Sequence, residues 1–206
     1  MPSRGQDGKL VFKIVYWGSS LSGKTTAVNW MFHKEGMSTS DKLQSIVDPT
    51  GRTLFFDRMS AGVGGVNFQV YTVAGQKRHK FQRKTVLNGV DGIIFVWDAQ
   101  RDQTEENLWS LDELIGHLAG KLGKEIPFLV QMNKMDLPNL VDKNFVENAL
   151  RQRDLGNVTN PHGIEMPTQV YETIAIKGQN IKRSFQQVAR DAVMKFYLKM
   201  KQQGQG

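Results

Sequence analysis

Residues 18–25 read G-S-S-L-S-G-K-T and match the phosphate-binding pattern G-x-x-x-x-G-K-[ST]. They follow an apolar run at residues 10–16 and precede a helical stretch at 24–33, the strand-to-helix setting that the pattern requires. Glycines let such a loop curl so that backbone amides face phosphate oxygens, and the following helix adds its positive dipole end. We expect Lys24 to bridge the β- and γ-phosphates and the Thr25 hydroxyl to bind Mg²⁺. The other residues predicted to hold the phosphates are Gly18, Ser20, Leu21, Ser22, Gly23 and Thr26.

A second motif, N-K-M-D at residues 133–136, follows another apolar run and is predicted at the same carboxyl edge of the sheet. Asp136 can accept hydrogen bonds from guanine N1–H and N2–H₂, a pair of donors that adenine lacks. Lys134 can lie along the base, and Asn133 can tie the loops together. The alternative is a polar loop with a helix-capping Asp. Because unpaired polar groups make the wrong base costly, the motif favours guanine.

A third segment, residues 71–76, ends in Ala74, Gly75 and Gln76 after a predicted strand. Gly75 could donate its backbone N–H to a γ-phosphate, and Gln76 could orient an attacking water. The alternative is a plain turn between a strand and a helix. With the other two motifs, this segment predicts a nucleoside triphosphate site able to hydrolyse its ligand.

The elements needed to position these motifs are predicted as alternating strands and helices. The 10–16 strand and 24–33 helix are followed by two strands, 54–56 and 66–73, which should pair antiparallel across the glycine-rich residues 60–65. Such alternation implies a parallel sheet covered on both faces. The remaining predictions are a basic helix at 77–87, strands at 92–97, 126–132 and 169–173, and helices at 104–121, 142–151 and 181–199.

Length and composition fit one domain and exclude several classes of protein. With 206 residues, 39% hydrophobic and 23% charged, the chain is an ordinary globular sequence. The absence of cysteine excludes disulfides, thiolate zinc sites, a cysteine nucleophile and prenyl or palmitoyl anchors, and it favours the cytoplasm. No apolar run approaches the length of a membrane helix. We expect a flexible N-terminus at 1–8, one domain at 9–201 and a flexible C-terminus at 202–206.

The formal net charge of +7 is concentrated near the end of the chain, where residues 177–201 hold seven Lys and Arg against the single Asp191. The predicted last helix buries an apolar stripe against the sheet, so its basic side is exposed. That side could touch anionic lipid peripherally. We expect no nucleic-acid partner.

The three motifs together resemble the Ras-like small GTPases over nearly the whole chain. Within them, the segments around residues 13–16, 21–26, 52–57 and 71–73 are most similar to the MglA family, prokaryotic cell-polarity GTPases with archaeal relatives. The resemblance implies a P-loop NTPase fold of the α/β class, with a Ras-like six-stranded, mostly parallel sheet, one antiparallel strand and helices on both faces. It also implies a Mg²⁺-dependent GTP/GDP switch in cell polarity or trafficking-like regulation. Its expected activator is a Roadblock-domain dimer of the MglB type, and its expected location is cytoplasmic and membrane-proximal.

The resemblance assigns further roles to individual residues. Arg52 matches an arginine finger that completes the hydrolytic site, and Thr53 matches a threonine that closes on Mg²⁺. Thr50, directly after a proline, competes with Thr53 for that metal role, and we prefer Thr53. Backbone near Ala175 is expected to contact guanine O6. Without the resemblance, Arg52 would be interpreted as a solvated loop residue.

One departure from the Ras-like pattern supports a rival function. Thr72 stands where these proteins usually have an Asp that holds a Mg²⁺-bound water, although the MglA family tolerates Thr there. The main prediction remains that the chain hydrolyses GTP slowly alone, with residues 36–53 and 75–87 changing with nucleotide state. The alternative is a nucleotide-locked scaffold that recruits partners without significant turnover.

Two sets of charged residues are predicted to be solvated faces, and for the basic set, which is more basic than a generic switch helix, a partner surface is the alternative. The basic set comprises Lys77, Arg78, His79, Lys80, Arg83 and Lys84. The acidic set comprises Glu105, Glu106, Asp112 and Glu113.

Overall fold

In the computed structural model, the chain is described at residues 2–5, 8–34, 56–63, 66–75 and 80–203, and side chains are described at all of these except 32–34, 56–63 and 80–82. Six strands of this part form the main sheet, in the order β3-β4-β2-β5-β6-β9, and β1 pairs with β2. The strands are β1 (Ser3–Arg4), β2 (Leu10–Trp17), β3 (Phe56–Val63), β4 (Val66–Val73), β5 (Gly92–Asp98), β6 (Phe128–Asn133), β7 (Asn157–Thr159), β8 (Glu165–Pro167) and β9 (Val170–Glu172).

The main sheet is parallel from β4 to β9, and β3 is antiparallel to β4. This confirms the predicted mostly parallel, six-stranded sheet with one antiparallel strand. Because parallel strands present their carboxyl ends at one edge, the ends of β2, β4, β5 and β6 meet there. That edge holds all three motifs.

Helices cover both faces of the sheet and give the chain two cores. The helices are α1 (Lys24–Lys34), α2 (Lys80–Val86), α3 (Thr104–Leu118), α4 (Lys143–Arg151) and α5 (Ile181–Gln203). On one face Val15 and Trp17 of β2 pack in a cluster with Leu111 of α3 and Val146 of α4. On the other, Ile14 and Tyr16 pack in a cluster with residues of α1 and α5. Strands buried on both faces explain why the sequence shows continuous apolar runs rather than alternation.

Three local features differ from the sequence prediction. The strand predicted at 54–56 is instead β3, which continues to Val63 through part of the segment assigned to the turn. Ser3 and Arg4, in the N-terminal segment predicted to be flexible, pair with Val11 and Leu10, respectively. Residues 154–167, to which the sequence analysis assigned no strand or helix, contain the small β7-β8 sheet. None of these differences touches the edge where the motifs lie.

Helix α5 packs as its apolar stripe predicts. Ile181, Phe185, Val188 and Ala192 are buried, and Phe196 is partly buried against the same core. Among the residues that the structure describes, no helix has the length and apolar character needed to cross a bilayer.

Candidate functional site

The candidate phosphate loop occupies the turn between β2 and α1. Gly18 and Gly23 have positive φ angles of 152° and 100°, and Leu21 has φ of 59°. A Cβ on Gly18 would lie 2.3 Å from the Val96 carbonyl oxygen, so this position has no room for a side chain. The loop therefore curls tightly before α1 begins at Lys24.

The Lys24 ammonium lies beneath this loop. Its Nζ donates to the carbonyl oxygens of Gly18, at 3.2 Å, and Ser19, at 2.6 Å, and the residue is only 5% exposed. Thr25, the next residue of α1, is half-buried. The structure thus places a cation and a hydroxyl-bearing residue at the helix N-terminus, where the dipole also favours anions.

The candidate base end is organised by Asn133, the last residue of β6. Its Nδ2 donates to the Ser22 carbonyl oxygen at 2.8 Å, which joins β6 to the phosphate loop. Its Oδ1 accepts from the Ala175 amide at 2.9 Å and from the Thr173 hydroxyl at 3.2 Å. One buried side chain therefore fixes three segments of the site relative to one another.

The two charged residues of the N-K-M-D motif lie nearer solvent. The Lys134 ammonium contacts the buried Asp98 carboxylate at 2.5 Å, and 26% of the Lys134 side chain is exposed. Its φ of 70° gives the backbone a left-handed turn directly after β6. Asp136 is exposed. Asp136 is therefore accessible for the predicted contact with a base.

Trp30 of α1 supports the loop that follows β9. A Cβ built on Gly178 would lie 1.8 Å from Cε2 of the Trp30 ring, and Gly178 has φ of 73°. The loop 173–178, which includes Ala175, consequently rests on a helix that starts in the phosphate loop.

The third motif ends β4 beside the phosphate loop. Thr72 and Ala74 are fully buried. A Cβ on Gly75 would lie 2.4 Å from both the Cα and the backbone nitrogen of Ser20, so the Gly75 backbone packs directly on the loop. Three residues predicted to act here, Arg52, Thr53 and Gln76, lie outside the described residues, as does Thr50.

Two side chains that sequence reasoning assigned to solvated faces are buried beside this motif. Arg83 of α2 is 0% exposed, and its Nη2 lies 2.7 Å from a carboxylate oxygen of Glu113, whose side chain is 4% exposed. Nη1 of Arg83 donates to the Ala74 carbonyl oxygen at 3.1 Å, and Nη2 donates to the Ser110 hydroxyl at 3.0 Å. The prediction of a solvated face was therefore wrong for Arg83 and Glu113.

The surroundings of Arg83 are aromatic. The centre of its guanidinium lies 4.3 Å from the Trp17 ring centroid and 5.3 Å from that of Trp109. Burial lowers the pKa of Arg83 to about 10, an effect that Glu113 partly opposes. A sequence signal existed, because Trp109, Ser110 and Glu113 have the spacing of one helical face on α3.

Asn107 of α3 is a second residue that the motifs did not reveal. Its Oδ1 accepts from the Ser19 hydroxyl and from the Asp98 amide, each at 3.1 Å, and its Nδ2 donates to the Asp98 carbonyl oxygen at 2.8 Å. Asn107 thereby links the phosphate loop to the end of β5, which also carries the partner of Lys134. Helix α3 thus supports both ends of the site.

Comparison with known proteins agrees with this geometry. A model of the ADP-ribosylation factor family matches residues 4–192. The Mutual gliding-motility protein MglA of Myxococcus xanthus is 41% identical over 150 residues, which cover 69% of this chain and 77% of that protein. The Ras-related protein Rab-7a of Dictyostelium discoideum is 27% identical over 186 residues, covering 90% of this chain and 84% of that protein.

A solved structure shows the same fold. The Arl6 small GTPase of Trypanosoma brucei, with the bound nucleotide analogue GppNp, superposes with a TM-score of 0.67. The two sequences are 19% identical, and the match covers 90% of this chain and 99% of that one.

Proposed function

Since the chain is a Ras-like small GTPase of the MglA type and belongs to the ADP-ribosylation factor family, we propose that it works as a Mg²⁺-dependent molecular switch with distinct GTP and GDP states. Proteins of this family hydrolyse GTP, and the chain is a GTP hydrolase. The observation that carries the proposal is the Asn133 side chain, which ties the phosphate loop to the base-side loop through Ser22 and Ala175. A ligand with a guanine at one end and phosphates at the other matches this joined site.

The phosphates would be held at the N-terminus of α1. Lys24 supplies positive charge to the β- and γ-phosphates, and the backbone of Gly18, Ser20, Leu21, Ser22 and Gly23 lines the loop, with Thr26 following in α1. The guanine would be recognised by Asp136, with Lys134 along its plane, Asn133 behind it and the backbone near Ala175 at O6. Adenine lacks the N1–H and N2–H₂ donors that Asp136 would accept from, so it would leave this carboxylate without partners in the complex.

Magnesium fits the donors available. Thr25 follows Lys24 in the first turn of α1 and carries a hydroxyl, a hard oxygen ligand of the kind that Mg²⁺ accepts. Thr53 is the proposed second protein ligand. The ion would supply charge neutralisation between the β- and γ-phosphates.

Hydrolysis would use groups on the γ-phosphate side. The Gly75 amide donates to a γ-phosphate oxygen, Gln76 orients the attacking water, and Arg52 neutralises the charge that spreads over the phosphoryl oxygens. An arginine in that position is worth roughly 10³ to 10⁵ in rate. The loss of γ-phosphate contacts would then release residues 36–53 and 75–87 into a second arrangement.

The likeness to MglA supports a partner and a setting for the switch. The activator we propose is a Roadblock-domain dimer of the MglB type, and the setting is polarity or trafficking-like regulation in the cytoplasm close to a membrane. Membrane contact would be peripheral, through the basic side of α5, where Lys182, Arg183 and Arg190 are exposed.

A rival role rests on Thr72. This residue is fully buried and stands where many relatives place an acidic group near the metal. In the rival role the protein binds GTP or GDP tightly and recruits partners without significant turnover.

Phosphate release separates the two roles. The wild type, Gln76→Leu and Arg52→Ala are loaded with Mg²⁺ and GTP, and phosphate is measured with and without a Roadblock dimer. Gln186→Leu and Arg190→Ala, on the exposed side of α5, serve as matched controls. We expect slow intrinsic release that the dimer accelerates, with large losses only in the first two variants. Equal inertness of all preparations, with nucleotide bound, would establish the scaffold instead.

Ligand class is tested independently by native mass spectrometry of the purified protein. Co-purified GDP or GTP is the expected result. Bound adenosine nucleotide, or equal affinity for ATP and GTP in calorimetry, would contradict the assignment.

A further inference from the structure

The buried cation of α2 has no assigned part in nucleotide binding. Among the described residues, Arg83 contacts no predicted ligand-binding side chain, yet it is completely buried and its guanidinium donates a hydrogen bond to the backbone directly before Gly75. Burying a charged group in an apolar interior costs free energy unless its partners are well arranged. A buried arginine with such partners therefore suggests that its position matters.

We infer that Arg83 is a positioning residue that fixes the turn after β4 against the phosphate loop, so that turnover, rather than nucleotide affinity, depends on it. This inference rests on the proposed hydrolysis of GTP. Arg83 lies outside the three motifs, and α3 is the element that supports the γ-phosphate side of the site through it.

The first step is the link from Arg83 to the γ-phosphate side. Nη1 of Arg83 holds the Ala74 carbonyl oxygen at 3.1 Å. The next residue, Gly75, packs its backbone on Ser20 so closely that no Cβ fits between them. A displacement of Ala74 therefore moves the Gly75 amide relative to the loop.

The second step is the anchorage of Arg83 itself. Ser110 and Glu113 of α3 contact Nη2, and the guanidinium centre lies 4.3 Å from the ring centroid of Trp17, at the end of β2. These contacts come from two elements of the main core. Through Arg83, the turn after β4 is thus held by α3 and β2 and not only by α2.

The third step is the requirement for arginine. One planar guanidinium contacts the Ala74 carbonyl with one nitrogen and the α3 groups with another, while its central carbon lies over the Trp17 ring. A lysine ammonium is a compact point charge without this fork or this stacking plane. Lysine can neutralise Glu113, but it cannot reproduce both directions at once.

The main test compares wild type with the double variant Arg83→Met/Glu113→Gln, which removes the fork without leaving a buried carboxylate unpaired. The Arg153→Met/Asp112→Asn variant is the matched control, because that exposed ion pair also joins α3 to a distant arginine, at 2.5 Å. Thermal unfolding with GDP bound verifies that each variant is folded. Dissociation constants for GDP and a non-hydrolysable GTP analogue are measured beside single-turnover hydrolysis with Mg²⁺.

We expect the double variant to lose about 10- to 100-fold in hydrolysis rate, as a misplacement of about 1 Å at a reacting centre can cause. Its nucleotide affinities should stay within about threefold of wild type, and the control variant should keep both quantities. Arg83→Lys should resemble the double variant more than the wild type, because it retains charge but not the fork. Wild-type turnover in the folded double variant would overturn the inference, as would parallel losses of affinity and rate.

Amide hydrogen exchange tests the positioning without any turnover. In GDP-bound protein, the double variant should exchange faster in peptides covering 72–75, while peptides covering 18–25 keep their protection. Unchanged exchange at 72–75 would overturn the inference even if hydrolysis fell. A wild type that binds GTP without hydrolysing it contradicts the proposed turnover, but the exchange measurement still decides whether Arg83 holds this turn.

Discussion

The two ends of the candidate nucleotide site are held in place by different chemistry. At the base end, the Asn133 amide uses neutral hydrogen bonds to three groups in two loops. At the phosphate end, the turn containing Gly75 is held by a buried charge, Arg83, whose contact with Glu113 is an ion pair and whose Nε has no hydrogen-bond partner among the described residues.

The base end thus depends on neutral hydrogen bonds, and the phosphate end depends in part on an ion pair. Neutral hydrogen bonds are directional, and each one fixes its partner within a narrow range of distance and angle. An ion pair over an aromatic surface tolerates more displacement, because Coulomb attraction and stacking vary slowly with geometry. Asn133 therefore holds the base end by neutral hydrogen bonds alone. At the phosphate end the hydrogen bond from Arg83 to Ala74 fixes the turn, and the ion pair with Glu113 keeps the buried charge of Arg83 compensated.

The largest effect is expected when the hydrogen bonds of the base end are removed with Asn133→Ala. The substitution leaves the Ser22 carbonyl, the Thr173 hydroxyl and the Ala175 amide without this partner, at about 1–3 kcal/mol for each buried group. Affinity for GDP should fall by about 100-fold or more, with a lower unfolding temperature. Calorimetry and thermal unfolding measure both, with the exposed Asn148→Ala of α4 as control. Unaltered GDP affinity would show that Asn133 does not organise the base end.

The ion pair between Arg83 and Glu113 is broken on one side only by the single variant Arg83→Met. A Glu113 carboxylate left buried without its cation should lower the free energy of unfolding by about 3–5 kcal/mol. Arg83→Met/Glu113→Gln should recover most of that loss, because no charge remains buried. Denaturant unfolding of Arg83→Met, Glu113→Gln and the double variant gives the coupling energy. Additive losses would mean that the two residues do not form the buried pair.

A smaller effect is expected for Gly75→Ala, which sharpens the comparison by disturbing the phosphate end without touching charge. The new Cβ would lie 2.4 Å from Ser20 backbone atoms, so the turn must move away from the loop. Hydrolysis should fall by about 100-fold, with a much smaller change in GDP affinity. The measurement is single-turnover phosphate release beside GDP titration. A loss confined to GDP affinity would place Gly75 at the wrong end of the site.

The smallest effect concerns Asp91, which lies away from both ends. Burial raises the pKa of its carboxyl, and the hydrogen bond from the Lys13 amide, at 2.9 Å, opposes the rise. Folded protein therefore keeps a proton that the unfolded chain has lost. The free energy of unfolding should decrease as pH rises from the ordinary Asp pKa, about 3.9, through the raised folded value. Denaturation of wild type and Asp91→Asn across pH 4–7 should show a steeper decrease in wild type, because Asp191, whose pKa burial also raises, contributes to both proteins. An identical slope in both would contradict the cause assigned.

How far the sequence predicts the site depends on how local each contact is. The phosphate loop and the N-K-M-D motif are contiguous segments beside strong strand signals, so both could be placed on one sheet edge without coordinates. Arg83 and Glu113 are thirty positions apart on separate helices, and each alone has the composition of a solvated face. Only tertiary packing brings them together under Trp17.

The strand β3 shows a second limit. Residues 60–65 contain three glycines and resemble a turn, yet β3 runs to Val63 in full register with β4. Pairing with a neighbouring strand outweighs weak intrinsic strand preference, which a single sequence does not reveal. The fold class survived this error because it depends on strand order rather than on strand ends.

Helix α1 has a mechanical consequence for the whole switch. Its N-terminus carries Lys24 and Thr25, and Trp30, about 9 Å farther along the axis, supports the loop at Gly178. Helix α1 cannot tilt without moving both the phosphate loop at its N-terminus and the 173–178 loop that packs on Trp30. In the proposed complex, with phosphates at that N-terminus and the guanine beside the 173–178 loop, the distance between the two halves of the ligand would be set by a single helix.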